Sequence, residues 1–156
     1  MELQKIIVPV DGSEHAMNAA RYSINLVKKF DCEVLLIHCH KTFPSYLGEP
    51  YFQKVVDKTL REANKLLEPY RELFTQTKIR FQILLFEEPA GKVIPEIAKN
   101  EKADLILIGS RGKTDLEGLV ERVLDLAGKD YDLKKKFDFR NIKLIKEFEK
   151  DLPLIS

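Results

Sequence analysis

The stretch Lys5–Ser13, KIIVPVDGS, indicates the architecture of this chain more directly than any other part of the sequence. Residues 5–10 form a short, almost continuous apolar run, which is typical of a strand that is buried on both faces of a sheet. The run ends at Asp11-Gly12, a turn signal, and Ser13 can cap a following helix. The sequence therefore predicts a central strand that leads directly into a helix.

The same alternation of strand and helix continues along the chain. Apolar strands are predicted within residues 32–40, 78–86 and 103–110, and helices within residues 14–30, 51–74 and 90–100. Pro69 lies inside the second helix and predicts a kink or a break there. Because parallel strands need crossover connections, this order predicts an α/β fold, a parallel twisted sheet of four to five strands with helices on both faces.

The composition indicates one domain and excludes several classes of partner. The 156 residues carry 26 Lys plus Arg against 25 Asp plus Glu, so the overall charge provides no attraction to nucleic acid or to an anionic membrane. No apolar run approaches the length of a membrane span, and the first residues show no secretion signal. Cys32 and Cys39 are predicted to be reduced thiols, so we expect a cytoplasmic protein.

The carboxyl ends of the predicted strands form the expected binding site, since open parallel sheets bind ligands there. These ends are residues 10–12, 38–40 and 108–110. Asp11 offers a carboxylate for ribose hydroxyls or for a metal bound to phosphate, and the turn at Gly109 and Gly112 exposes N–H groups to phosphate oxygens. A nucleotide is the predicted ligand. The alternative is structural: Asp11-Gly12-Ser13 is then only a turn and a helix cap, and the glycines only allow tight turns.

Other signals point to different chemistry, and each lacks a required part. Gly112-Lys113-Thr114 looks like the end of a P-loop, but the first glycine of that motif would fall at Leu107, inside an apolar strand. His38 and His40 share a face of one strand, yet no cluster of cysteine or carboxylate ligands accompanies them. Cys39 lies between these histidines in sequence, but neighbouring strand residues point to opposite faces, so a Cys–His nucleophile is not predicted.

Three segments of the chain resemble the universal stress protein family. They are the first strand with its terminal Asp11-Gly12-Ser13, the second strand that ends at His40, and Ile108-Gly109-Ser110-Arg111-Gly112. The resemblance implies a Rossmann-like fold of the adenine nucleotide alpha hydrolase-like type over residues 1–128, and a homodimer. It also implies which residues meet an adenine nucleotide: the adenosine would contact Pro9, Val10, Asp11 and Cys39, and the ribose and phosphates would contact Ile108, Gly109 and Gly112.

The chain departs from the family pattern after Gly112. ATP-binding members carry G-x2-G-x9-G-[ST], whereas this chain has Arg122-Val123 at the place of the last pair. About five residues of the family pattern are missing between Val120 and Glu121, so the phosphate-binding loop is shortened and loses the N–H groups that begin the next helix. The departure implies fewer hydrogen-bond donors for the outer phosphates of ATP. The affinity for AMP, ADP or adenosine should therefore be reduced less than the affinity for ATP, whether or not Mg²⁺ accompanies the nucleotide. Arg111, Lys113 and Thr114 are the candidates for compensating this loss.

The C-terminal segment 129–156 also departs from the family, whose members normally end in a short apolar strand. Its apolar residues recur at helical spacing, namely Phe137, Leu144, Ile145, Phe148 and Leu152. We predict an added amphipathic helix in this tail that packs on the domain or on a partner subunit.

Two functions from different classes follow from these residues. In the first, a cytoplasmic stress-response protein binds an adenine nucleotide and acts through its oligomer or its partners, with at most slow hydrolysis. In the second, a protein-interaction module of the same family binds no nucleotide and acts through its dimer surface and C-terminal tail. The two hypotheses differ in whether Asp11 and the turn at Gly109 face an open cleft.

Overall fold

A computed structural model describes residues 3–109 of the chain. The elements of this part, in chain order, are β1 (Lys5–Pro9), α1 (Glu14–Phe30), β2 (Glu33–Cys39), α2 (Tyr51–Gln76), β3 (Phe81–Phe86), α3 (Ala90–Asn100) and β4 (Leu105–Ile106). The predicted alternation of strands and helices is confirmed. None of the helices in residues 3–109 combines the length and the apolar character that crossing a bilayer requires.

The four described strands form one parallel sheet in the order β3-β2-β1-β4. β1 pairs with β2 so that Lys5 is opposite Glu33 and Pro9 is opposite Ile37. The strand order reverses at β1, because β2 and β3 lie on one side of it and β4 lies on the other. The carboxyl end of β1 is therefore the switch point at which open sheets bind ligands.

Each face of the sheet carries its own hydrophobic core. On one face, α1 and α2 pack against Ile6 and Val8 of β1. On the other face, α3 packs against Ile7 of β1 and against Leu35 and Ile37 of β2. Successive residues of a strand point to opposite faces, so continuous apolar runs supply both cores. The predicted α/β class, with helices on both faces of a parallel sheet, is confirmed.

Helix α1 begins and ends as the sequence predicts. Ser13 is its N-cap, and the Ser13 Oγ accepts a hydrogen bond from the Ala16 N–H at 3.1 Å. After Phe30, Asp31 adopts a left-handed conformation, and its N–H donates to the Val27 carbonyl oxygen at 2.8 Å. These two ends set the direction in which the chain leaves β1 and enters β2.

Two elements differ from their predicted extents. The prediction of a break at Pro69 was wrong, because α2 runs from Tyr51 to Gln76 with the proline inside it. Leu67, Tyr70 and Phe74 of α2 are buried on both sides of that proline, and this packing holds the helix against the sheet. β4 is shorter than its apolar run, although the Leu107 N–H continues the pairing by donating to the Ile7 carbonyl oxygen at 2.9 Å.

Several predictions concern the part of the chain beyond Gly109. They are the roles of Arg111 and Gly112, the shortened loop, the domain boundary at 128 and the helical tail over 129–156. All of these lie outside the described residues and stay predictions.

Candidate functional site

A cavity of about 470 Å³ opens at the carboxyl ends of β1 and β2. Its described lining comes from Pro9–Asp11, from the end of β2 and the loop after it (Ile37 and Cys39–Thr42), and from Glu88–Ala90. Cys39 and Ala90 also pack against the core beneath α3, so the cavity lies on the α3 side of the sheet. Its volume falls within the range of small-molecule sites, roughly 300–1,000 Å³.

Four of the predicted site residues line this cavity, namely Pro9, Val10, Asp11 and Cys39. Ile108 and Gly109 are not among the described residues around it, and both are buried in the packing of the sheet. Arg111 and Gly112 lie outside the described residues. The structure thus brings together the part of the predicted site that the resemblance assigns to adenosine.

Gly109 approaches α1 more closely than a side chain would permit. A Cβ atom at this position would lie 2.6 Å from the carbonyl carbon and oxygen of His15 and 2.8 Å from the Ala16 nitrogen. These separations are far inside the optimal contact distance of about 3.5–4.0 Å. Backbone packing against the first turn of α1 therefore requires glycine at 109, whatever else the residue contacts.

The turn after β1, which we call the Asp11 turn (Val10–Ser13), holds Asp11 at the cavity. Its Oδ1 accepts a hydrogen bond from the Ser13 N–H at 2.9 Å. Gly12 has a φ of 79°, and a Cβ atom there would lie 2.9 Å from Leu66 Cγ of α2. Gly12 is therefore needed both for the backbone conformation and for the contact with α2. With these constraints the Asp11 side chain forms part of the cavity wall.

His38 of β2 and His40, the residue after β2, have different surroundings. The His38 ring is buried, and its Nδ1 lies 2.8 Å from the Val10 carbonyl oxygen. Since a carbonyl only accepts, the His38 Nδ1 carries the hydrogen and donates it. His40 lines the cavity, donates from Nδ1 to the Lys41 carbonyl oxygen at 3.0 Å, and packs on Phe43 with ring centroids 5.0 Å apart. Within residues 3–109, no three His, Cys, Asp or Glu side chains group to hold a metal ion.

Cys39 presents a neutral thiol to the cavity. Burial raises the pKa of Cys39 to about 11, so the thiolate is scarce at neutral pH. Cys39 and Cys32 are both free; Cys32 comes just before β2, Cys39 is its last residue, and the two pack into different cores. The Cys39 side chain therefore acts as a small apolar wall rather than as a nucleophile.

The part of the cavity wall that Glu88–Ala90 form after β3 was not predicted from the sequence. The loop after β2 is tied to it, because Thr42 Oγ1 donates to the Glu87 carbonyl oxygen at 3.2 Å and the Phe43 N–H donates to Glu87 Oε1 at 2.7 Å. The signal that could have revealed this wall is the parallel pairing of β2 with β3, which places both carboxyl ends at one edge.

Comparison with known proteins identifies the family. The family model described as the universal stress protein family matches residues 2–125. A universal stress protein of Methanocaldococcus jannaschii is 30% identical over 120 residues, which are 75% of this chain and 70% of that protein. A universal stress protein of Thermus aquaticus is 33% identical over 108 residues, which are 69% of this chain and 77% of that protein.

Solved structures share the fold. A universal stress protein family member from Burkholderia pseudomallei matches with a TM-score of 0.63 at 22% identity, over 80% of this chain and 90% of that chain. An Arabidopsis thaliana member with AMP bound gives 0.56 at 18% identity, over 77% and 86%. An Archaeoglobus fulgidus member in complex with dAMP gives 0.59 at 16% identity, over 80% and 91%. The fold, the curated relatives and the family model agree, and this chain belongs to the universal stress protein family.

Proposed function

We propose that this protein binds an adenine nucleotide in the cavity at the carboxyl ends of β1 and β2 and has a regulatory role in the stress response. The observation that carries the proposal is the Asp11 carboxylate, which the Ser13 N–H holds in the wall of a cavity of ligand size. Family membership supports it, and so do AMP and dAMP bound to two proteins of the same fold.

The chemistry of the cavity suits the adenosine part of a nucleotide. The Asp11 carboxylate accepts hydrogen bonds from ribose hydroxyls, and bonds to a charged group are worth about 1.5–3 kcal/mol each. Ile37 and the neutral Cys39 offer apolar surface to a flat base. The ribose and the base would therefore provide most of the affinity that the described residues can supply.

Binding rather than turnover is the proposed activity. Burial keeps the Cys39 thiol neutral by raising its pKa to about 11, and the His38 ring is engaged with the Val10 carbonyl. Neither side chain is placed to act as a nucleophile or as its base. Any hydrolysis would be slow beside nucleotide binding and release.

We propose further that AMP and ADP bind more tightly than ATP. The chain has Arg122-Val123 where ATP-binding family members have a Gly-Ser or Gly-Thr pair. About five residues of the family pattern are also missing between Val120 and Glu121, and their loss removes N–H and hydroxyl donors for the outer phosphates. Mg²⁺ would then add little to the affinity. We also propose that the protein is a cytoplasmic homodimer and that its tail over residues 129–156 binds a protein partner.

The thermal midpoint of the purified protein tests this proposal. We would measure it with no ligand and with millimolar AMP, ADP or ATP, in the presence of Mg²⁺. A ligand at a hundred times its dissociation constant stabilises by about 2.7 kcal/mol, which shifts the midpoint by roughly 5–10 °C for a chain of this length. We expect that shift with AMP and ADP and a smaller one with ATP.

Two variants make the test specific. Asp11→Ala should abolish the shift, whereas Asp57→Ala, which removes an exposed carboxylate on α2, should retain it. An absence of any shift in the unaltered protein would contradict nucleotide binding and favour the interaction-module hypothesis. A larger shift with ATP than with AMP would contradict only the phosphate part of the proposal.

A further inference from the structure

Two polar side chains approach the Asp11 turn from the face of the sheet opposite the cavity. His38 shares a face of β2 with Leu36, and Leu36 belongs to the core beneath α1 and α2. Tyr70 reaches the same core from α2 and is 1% exposed. Neither side chain is among those that line the cavity, whose β2 residues Ile37 and Cys39 point the other way.

Both side chains contact the backbone around Asp11. The His38 ring donates from Nδ1 to the Val10 carbonyl oxygen at 2.8 Å. The Tyr70 hydroxyl lies beside the Gly12 N–H, but within the described part of the chain it makes no hydrogen bond of full geometry. Burial raises the pKa of Tyr70 to about 12; the Gly12 N–H opposes this rise, and the Asp11 carboxylate adds to it.

These contacts act on the two peptide groups of Asp11. The Val10 carbonyl belongs to the peptide group before Asp11, and the Gly12 N–H belongs to the one after it. The His38 hydrogen bond holds the planar peptide group before Asp11, and the Tyr70 hydroxyl lies against the one after it, so the two side chains restrict the backbone of Asp11 and the direction of its side chain. The Ser13 N–H, 2.9 Å from Asp11 Oδ1, then fixes the carboxylate itself.

A tyrosine hydroxyl with incomplete hydrogen bonding lowers the stability of the core in which it is buried. Burying such a group destabilises the fold, and phenylalanine would fill the same space without that destabilisation. A buried polar group that is left unsatisfied calls for an explanation. The place of this hydroxyl, beside Gly12 and near the Asp11 carboxylate, provides one.

We infer that His38 and Tyr70 are positioning residues that hold Asp11 in the orientation that recognises ribose hydroxyls. The inference deepens the proposed function and rests on it. The two residues act through Asp11 and do not touch the nucleotide. They should therefore control the preference for a ribose over a sugar without hydroxyls, and leave the contacts with the base and phosphate unchanged.

The test compares the dissociation constants of AMP and 2′,3′-dideoxy-AMP by titration calorimetry. The unaltered protein should bind AMP about tenfold or more tightly than 2′,3′-dideoxy-AMP, because only AMP has ribose hydroxyls that can donate a hydrogen bond to the carboxylate. Tyr70→Phe and His38→Leu should each reduce the preference to about twofold or threefold, with the affinity for dideoxy-AMP nearly unchanged.

Three control variants separate positioning from general structural damage. Tyr46→Phe removes the hydroxyl of a tyrosine that is 86% exposed and should keep the full preference. His38→Asn places an amide N–H near the position of Nδ1 and should keep most of it. Asp11→Ala should lower the preference to about the level of Tyr70→Phe or below it. The thermal midpoint of Tyr70→Phe should equal or exceed that of the unaltered protein, because the unsatisfied hydroxyl is gone.

The outcomes distinguish this inference from the proposed function. An unchanged preference in both Tyr70→Phe and His38→Leu would overturn the inference while leaving nucleotide binding intact. An equal loss of affinity for both ligands would also overturn it, because that pattern indicates a distorted cavity. If neither the unaltered protein nor any variant binds AMP, the proposed function fails and the inference fails with it.

Discussion

At the scale of the residue, two glycines set much of the geometry of the site. Gly12 gives the Asp11 turn its left-handed step and lies under Leu66 of α2. Gly109 lets the segment after β4 approach the backbone of α1 at His15. Both glycines lie next to the switch point of the sheet, so the close approach of β1, α1 and β4 depends on two positions without a side chain.

We predict that Gly109→Ala lowers the free energy of unfolding by about 1–3 kcal/mol, because its Cβ would overlap backbone atoms of α1 that cannot move aside easily. Urea denaturation measures the change. Gly48→Ala is the matched control, since no atom lies within 4 Å of a Cβ at that position. Equal midpoints for the two variants would show that the contact with His15 is not rigid.

At the scale of the element, the sequence predicts the bounds of those helices and strands whose ends depend on residues close together along the chain. The bounds of α1 follow from Ser13 and from the helical spacing up to Phe30, and those of α3 follow from a short apolar pattern after Pro89. The loop after β2 could not be placed in this way. Its hydrogen bond from Thr42 to Glu87 joins residues 45 apart in sequence, and only the pairing of β2 with β3 brings them together.

We predict that Ser13→Ala destabilises the protein by about 1 kcal/mol, because the first turn of α1 loses the acceptor of the Ala16 N–H. Ser13→Asp should retain most of the stability, since aspartate also caps helices. Urea denaturation of both variants checks this, with exposed Ser45→Ala as the control. A midpoint for Ser13→Ala equal to that of Ser45→Ala would contradict the role of the cap.

At the scale of the whole molecule, the sheet separates two environments. The core beneath α1 and α2 contains His38 and Tyr70 near the Asp11 turn, while the cavity and Cys39 lie on the side of α3. The hydrophobic pattern predicted two covered faces. The pattern could not predict which face of the sheet carries the ligand cavity, because strand order is fixed by contacts between distant segments.

The buried thiol and phenol predict a loss of stability at alkaline pH. Burial raises the pKa of Cys39 to about 11 and that of Tyr70 to about 12, whereas in the unfolded chain they titrate near 8.5 and 10. Between those values the native state holds more protons, so the free energy of unfolding falls as pH rises from about 9 to 11. Urea denaturation across this range should show the fall.

Cys39→Ala and Tyr70→Phe identify the groups responsible for that fall. In each variant the free energy of unfolding should decline less steeply above pH 9, because one group that releases a proton on unfolding is absent. Tyr46→Phe, which alters an exposed tyrosine, should decline like the unaltered protein. Identical slopes in all four proteins would mean that neither buried group controls the alkaline stability.

The proposed function requires that Asp11 and the cavity beside it bind an adenine nucleotide. Titration calorimetry of the purified protein with AMP, repeated with Asp11→Ala, tests it most directly. We expect one AMP per chain, and an affinity at least about tenfold weaker in Asp11→Ala, since one hydrogen bond to a charged group is lost. The absence of binding, or equal affinities in the two proteins, would contradict it.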